Sequence, residues 1–125
     1  MSIALWCVLV AALLPFVATM LAKAGNARTF DNHNPREWLA RQTGAAARAN
    51  AAQANSFEAF PFFAVAVIVA TMLHAPQARV DLLAMIFIAA RIAYIGCYVA
   101  DQATLRSLVW FVGIGCTVAI FVAGA

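Results

Sequence analysis

The chain has 125 residues, 66% of them hydrophobic and 10% charged, with a formal net charge of +3, whereas soluble domains average roughly 45–50% apolar and 25% charged residues. This composition excludes an ordinary soluble domain, and at about 20 residues per span the length holds four membrane spans and their loops but no second domain. The basic residues are scattered among apolar runs and not gathered on one polar face, which excludes nucleic acid as a partner and marks them as topology signals.

Residues 2–22 form an uncharged run with Pro15 inside it, a residue that spans tolerate as a kink. A cleaved signal peptide carries its basic residue before the apolar core. Here Lys23 follows the run, so the segment reads as a retained first span with its N-terminus outside. The loop 23–44 carries Lys23, Arg28, Arg36 and Arg41 against Asp31 and Glu37 and is cytoplasmic by the positive-inside tendency. Within it, Asn34-Pro35-Arg36-Glu37 predicts a helix start, with Asn34 as N-cap, Pro35 at the first helical position and Glu37 reaching back as in a capping box. A short interfacial helix with Trp38 and Leu39 on its apolar side follows, and Gly44 breaks it.

The second span is predicted over 45–73, longer than a bilayer requires, so its first turns stand in the interface. Its alanine-rich start favours helix and close helix approach. The stretch His74–Asp81 reads as a tight outside turn, the third span as 82–100 with Arg91 at its middle, and the fourth as 104–122 after a short cytoplasmic connection. Lys23, Arg28, Arg36, Arg41, Arg48 and Arg106 then lie inside and Arg79 outside. The expected fold class is an all-α membrane protein: one domain, 1–125, forming a four-transmembrane-helix bundle with both termini outside the cytoplasm. Cys7, Cys97 and Cys116 all sit in apolar segments, so small core residues are expected, with neither a disulfide framework nor a metal site.

Arg48, Asn55 and Glu58 are spaced by seven and three residues, which places them on one helix face over about 15 Å of axis. Glu58 is followed by fifteen residues without a charge. A structural ion pair between Glu58 and Arg91 is one reading, but ionisable residues within a membrane are functional by default. Arg91, Tyr94 and Tyr98 form one stripe on the third span, in which Tyr98 suits an aromatic belt and Tyr94 lies deeper than a belt requires. Arg106 opens the fourth span at the level of Asn55 and Glu58; alone, it reads as a snorkelling anchor. Together these groups suit a small polar ligand in which arginines clamp carboxylates and the glutamate takes an ammonium. An arginine beside a bound thiol favours the thiolate, which is the nucleophile.

The stretch Gln53-Ala-Asn55-Ser-Phe-Glu58-Ala-Phe-Pro61-Phe-Phe63 resembles the second-helix signature of the membrane-associated proteins in eicosanoid and glutathione metabolism, the MAPEG family, which includes microsomal glutathione transferases and leukotriene C4 synthase. Ala90-Arg91-Ile-Ala-Tyr94-Ile-Gly96-Cys-Tyr98 resembles its third-helix signature, and Arg106 after Gln102 sits where its fourth helix begins. The resemblance covers the whole chain and suggests a bacterial-type member, which implies, if the protein is bacterial, the cell inner membrane. It implies a homotrimer of four-helix bundles with glutathione, as co-substrate, between adjacent subunits near the cytoplasmic face, and a hydrophobic electrophile arriving from membrane lipid. Carried over by position, Asn55 and Glu58 hold the glutathione backbone, Tyr94 and Tyr98 line the pocket and Arg106 activates the thiol. On this basis the catalytic residues are Arg106 and Tyr94, and the substrate-binding residues are Arg48, Asn55, Glu58, Arg91 and Tyr98.

Three positions depart from the family pattern: Ala51, Ala59 and Ala93 stand where an arginine, a tyrosine and a further basic residue are expected. Arg48, one turn before Ala51, is the candidate replacement for the first. Losing one carboxylate clamp costs about 1.5–3 kcal/mol, roughly ten- to a hundredfold in affinity. The alternative function is therefore a non-enzymatic protein of the same fold, a scaffold or a binder of lipid or another small ligand. A small four-span drug and proton antiporter also relies on a lone membrane glutamate, but it keeps that residue in its first span, which here carries no charge.

Overall fold

The computed structural model describes residues 1–125 and contains helices and turns only. Five α-helices follow one another: α1, Ile3–Ala24; α2, Pro35–Ala40; α3, Gly44–Met72; α4, Gln77–Val99; and α5, Ala103–Val122. Four of them, α1, α3, α4 and α5, are long and apolar enough to cross a membrane. A single 3₁₀ turn, Ala27–Thr29, lies in the loop before α2.

Small residues set the spacing of the first pair of spans. Ala4, Cys7, Ala11, Leu14, Ala18 and Ala22 recur every three or four residues and form the buried stripe of α1. The buried face of α3 answers with Ala49, Ala52, Ser56, Ala66 and Ala70. In lipid no hydrophobic force drives helices together, so close backbone approach across such stripes supplies the adhesion. The core of the second pair is larger. Phe63 of α3 stacks on Phe87 of α4 with ring centroids 3.8 Å apart, beside Val80, Cys116 and Ile120.

The loop segment before α3 is tied down by side chains. Trp38 and Leu39 are buried against Ala22 and Ala49, as expected for the apolar side of α2. The Trp38 indole Nε1–H donates to Thr29 Oγ1 at 3.1 Å, Phe30 meets the Trp38 ring edge-on, and the Lys23 ammonium lies 4.1 Å from the Phe30 centroid. Gly44 opens α3 at φ +60, a left-handed conformation that explains a glycine there.

Two local expectations differ from the structure. Asn34 occupies the N-cap position of α2 but makes no capping bond; its Nδ2 donates to Asp31 Oδ2, while Glu37 pairs with Arg41 one turn on. The i,i+4 ion pair and the Asp31 turn thus displace the capping box. Helix α4 begins at Gln77, not near Leu82, so the end of the expected turn is helical, and the Arg79 and Val80 N–H groups donate to the Pro76 carbonyl; Asp81 Oδ1 accepts the Ala4 N–H at 2.8 Å and also the Gln77 side-chain amide. A carboxylate that reads locally as a turn residue instead caps the start of α1 across the bundle.

Candidate functional site

Helices α3 and α4 run antiparallel, and two polar contacts fix their register. Near the loop end, Arg48 donates through Nε and Nη2 to the Val99 carbonyl at 3.2 and 3.1 Å. Deeper in the bundle, Arg91 Nη2 donates to Ser56 Oγ at 3.2 Å. Ser56 lies eight residues after Arg48 and Arg91 eight before Val99, so both contacts are separated by about 12 Å along each helix and keep the same spacing. Arg48 therefore satisfies a C-terminal carbonyl of α4, one of the orphan acceptors that any helix end leaves.

Arg91 is 4% exposed and Ser56 3% exposed. The guanidinium carbon lies 4.2 Å from the Tyr94 ring centroid. Its partners are thus a hydroxyl and an aromatic face; the ion pair of the chain is Arg41–Glu37, at the surface. Tyr94 meets Tyr98 edge-on, with centroids 5.7 Å apart, and the Arg106 guanidinium lies 4.4 Å from the Tyr98 centroid. The result is a ladder, Arg91–Tyr94–Tyr98–Arg106, that joins a deep cation on α4 to a shallower one on α5. Each cation over a ring contributes about 0.5–2 kcal/mol, more where water is excluded.

Beside the deep end of this ladder, α3, α4 and α5 enclose a cavity of about 160 Å³. Asn55, Glu58 and Arg91 supply its polar wall, and Phe62, Phe87, Trp110 and Ile114 its apolar one, with Gly113 and Thr117 between. The Asn55 Oδ1 atom is buried and receives no hydrogen bond. Buried polar atoms are nearly always partnered, so this acceptor, on a residue that lines the cavity, is an exception. The volume is below the roughly 300–1,000 Å³ of small-molecule sites, too small to enclose a whole drug-sized ligand.

Of the residues expected to form a site, Asn55, Glu58 and Arg91 line this cavity, Tyr94 packs on Arg91, and Tyr98 with Arg106 sits at the shallow end of the ladder. Arg48, although on the same helix as Asn55 and Glu58, is engaged on Val99 and lies outside the cavity lining. The Glu58–Arg91 ion pair considered from the sequence does not form within the chain: Glu58 is exposed and Arg91 turns to Ser56. Sequence reading missed Ser56, Trp110, Gly113 and Thr117. The last three had a signal, since Arg106, Trp110, Gly113 and Thr117 recur at four, three and four residues and share one face of α5. No three His, Cys, Asp or Glu side chains converge in a metal-binding group.

With four spans, two signature helices meeting at one polar cavity, and a match to the MAPEG family over residues 3–125, the chain is an integral multi-pass membrane protein and belongs to that family. The family includes glutathione-dependent transferases as well as non-enzymatic members. A comparison with curated proteins finds no match.

Proposed function

We propose that the protein is a glutathione-dependent membrane transferase or peroxidase acting on apolar electrophiles. The carrying observation is the set of polar residues that line one cavity: a buried guanidinium hydrogen-bonded to a hydroxyl, a carboxylate in no ion pair, and an asparagine whose amide oxygen lacks a donor. Glutathione offers the complement, with carboxylates for Arg91 and an ammonium and amide N–H groups for Glu58 and Asn55. Family membership supports the same ligand.

In this reading Arg106 holds the thiolate and Tyr94, with Tyr98, lines its approach. The thiolate sulfur attacks the carbon bearing the leaving group of an electrophile; a carbon–sulfur bond forms and, for a chlorinated nitrobenzene, chloride departs. With a lipid hydroperoxide the sulfur takes the terminal oxygen, the O–O bond breaks and the alcohol leaves, and a second glutathione converts the sulfenic acid to the disulfide and water. The apolar wall of Phe62, Phe87, Trp110 and Ile114 would receive the electrophile from the bilayer. The small cavity of a single chain supports a site completed by a neighbouring copy in a homotrimer, with the loop side cytoplasmic and both termini outside, in the inner membrane of a bacterial cell.

Purified protein should bind glutathione, show an ultraviolet thiolate band on titration, and accelerate both test reactions. No binding at millimolar glutathione would overturn the assignment. One observation favours a non-enzymatic reading: Arg48, the candidate substitute for the missing clamp at Ala51, is committed to Val99. Under that reading Glu58→Ala lowers the stability of the assembly in detergent while no turnover exists to be lost.

A further inference from the structure

We propose that Ser56 is a positioning residue: it holds the Arg91 guanidinium away from the Glu58 carboxylate, so that the two opposite charges remain available to a zwitterionic ligand and do not neutralise each other. The identity of the ligand rests on the glutathione reading; the separation of charges does not.

Arg91 is a buried cation in no ion pair. Arg91 lies in the middle of α4, 4% exposed, and a carboxylate lines the same cavity, yet the two are not paired. In a medium of low dielectric the attraction between such groups is many times that in water, and an unpaired charge tends to find its nearest opposite. What prevents it here is geometry on α3. Ser56 and Glu58 are two residues apart, hence about 200° apart around the helix. Ser56 faces inward, 3% exposed, and takes Nη2 of Arg91 at 3.2 Å; Glu58 is exposed. The guanidinium carbon also lies over the Tyr94 ring, 4.2 Å from its centroid. Held at one nitrogen and against the Tyr94 ring, Arg91 lines the cavity that Asn55 and Glu58 also line.

A neutral acceptor suits this task better than a charged one. A hydroxyl orients the guanidinium without neutralising it, whereas a carboxylate in its place would consume the charge and fill the donors with a bidentate partner. Ser56 thereby selects ligands that carry an anion and a hydrogen-bond-donating cation close together, as at the amino-acid end of a peptide, over simple anions, which would be repelled by the free Glu58.

The test compares Ser56→Ala and Ser56→Asp with the wild type in the purified full-length protein. Infrared difference spectra of ligand-free protein, with the Glu58 carboxylate stretch assigned through Glu58→Gln, read the charge separation directly. In Ser56→Ala the Glu58 band should shift as the carboxylate pairs with Arg91, and the glutathione dissociation constant should rise tenfold or more. In Ser56→Asp the new carboxylate should capture Arg91, abolishing binding while the thermal midpoint rises; this variant decides the matter if Ser56→Ala fails to fold. An unshifted Glu58 band with wild-type affinity in Ser56→Ala, or wild-type affinity in Ser56→Asp, would overturn the proposal. Should the wild type itself bind no glutathione, the proposed function fails alone, and the infrared comparison of ligand-free proteins still decides the role of Ser56.

Discussion

Arg48 donates two hydrogen bonds to the main-chain carbonyl of Val99, a residue 51 positions away, and so joins the start of α3 to the end of α4. A membrane arginine that reads as a ligand clamp is thereby a helix cap. Arg48→Ala should cost about 1.5–3 kcal/mol, the usual worth of a hydrogen bond from a charged donor. Thermal unfolding in detergent measures the loss. Glutathione affinity measured below the transition should change much less than in Asn55 or Arg91 variants, and a direct loss of binding with unchanged stability would return Arg48 to the site.

Asn55→Ala should move stability and binding in opposite directions. Its Oδ1 is buried without a donor, so the side chain costs the ligand-free protein up to about 1–3 kcal/mol that truncation relieves. If, as proposed, glutathione supplies the missing donor, the loss of this atom should weaken binding about tenfold. Calorimetric titration alongside an unfolding curve reads both.

At the shallow end of the ladder, Arg106→Ala should remove the thiolate band and lower turnover on the order of a hundredfold, as expected when a group that stabilises developing charge is lost. Tyr98→Leu should have a smaller effect of about 0.5–1 kcal/mol, because it removes only the ring under the Arg106 guanidinium, 4.4 Å away. A thiolate band that survives in Arg106→Ala would take Arg106 out of the mechanism.

Gly113 separates a tolerated substitution from a blocking one. A Cβ added there meets Arg91 Cδ at 3.8 Å and Phe87 at 3.9 Å, ordinary contacts. Gly113→Ala should leave stability within about 0.5 kcal/mol. Gly113→Leu should fill the cavity between α3 and α5 and raise KM for bulky apolar electrophiles more than for small ones. Equal kinetics across a size series would place the electrophile elsewhere.

Much of the architecture is legible in the sequence because lipid imposes it: four long apolar runs leave few alternatives, and the gathering of Asn55, Glu58 and Arg91 follows from helical spacing and antiparallel neighbours. What is not legible depends on partners far along the chain. Nothing near Arg48 announces the Val99 carbonyl, and nothing near Asp81 announces the Ala4 N–H, so in sequence the one reads as a ligand group and the other as part of a turn. Ser56 escaped for a different reason. A serine among alanines passes as one more small packing residue until the buried guanidinium that it restrains is seen.

The bond between Asp81 and Ala4 also bears on assembly. Its two ends are 77 residues apart, so during synthesis α1 emerges and enters the bilayer long before the carboxylate that satisfies its leading N–H exists. Of the four spans, the earliest made is completed only once α4 has begun, and truncated chains ending before Asp81 should hold α1 in the membrane but leave its N-terminal end frayed.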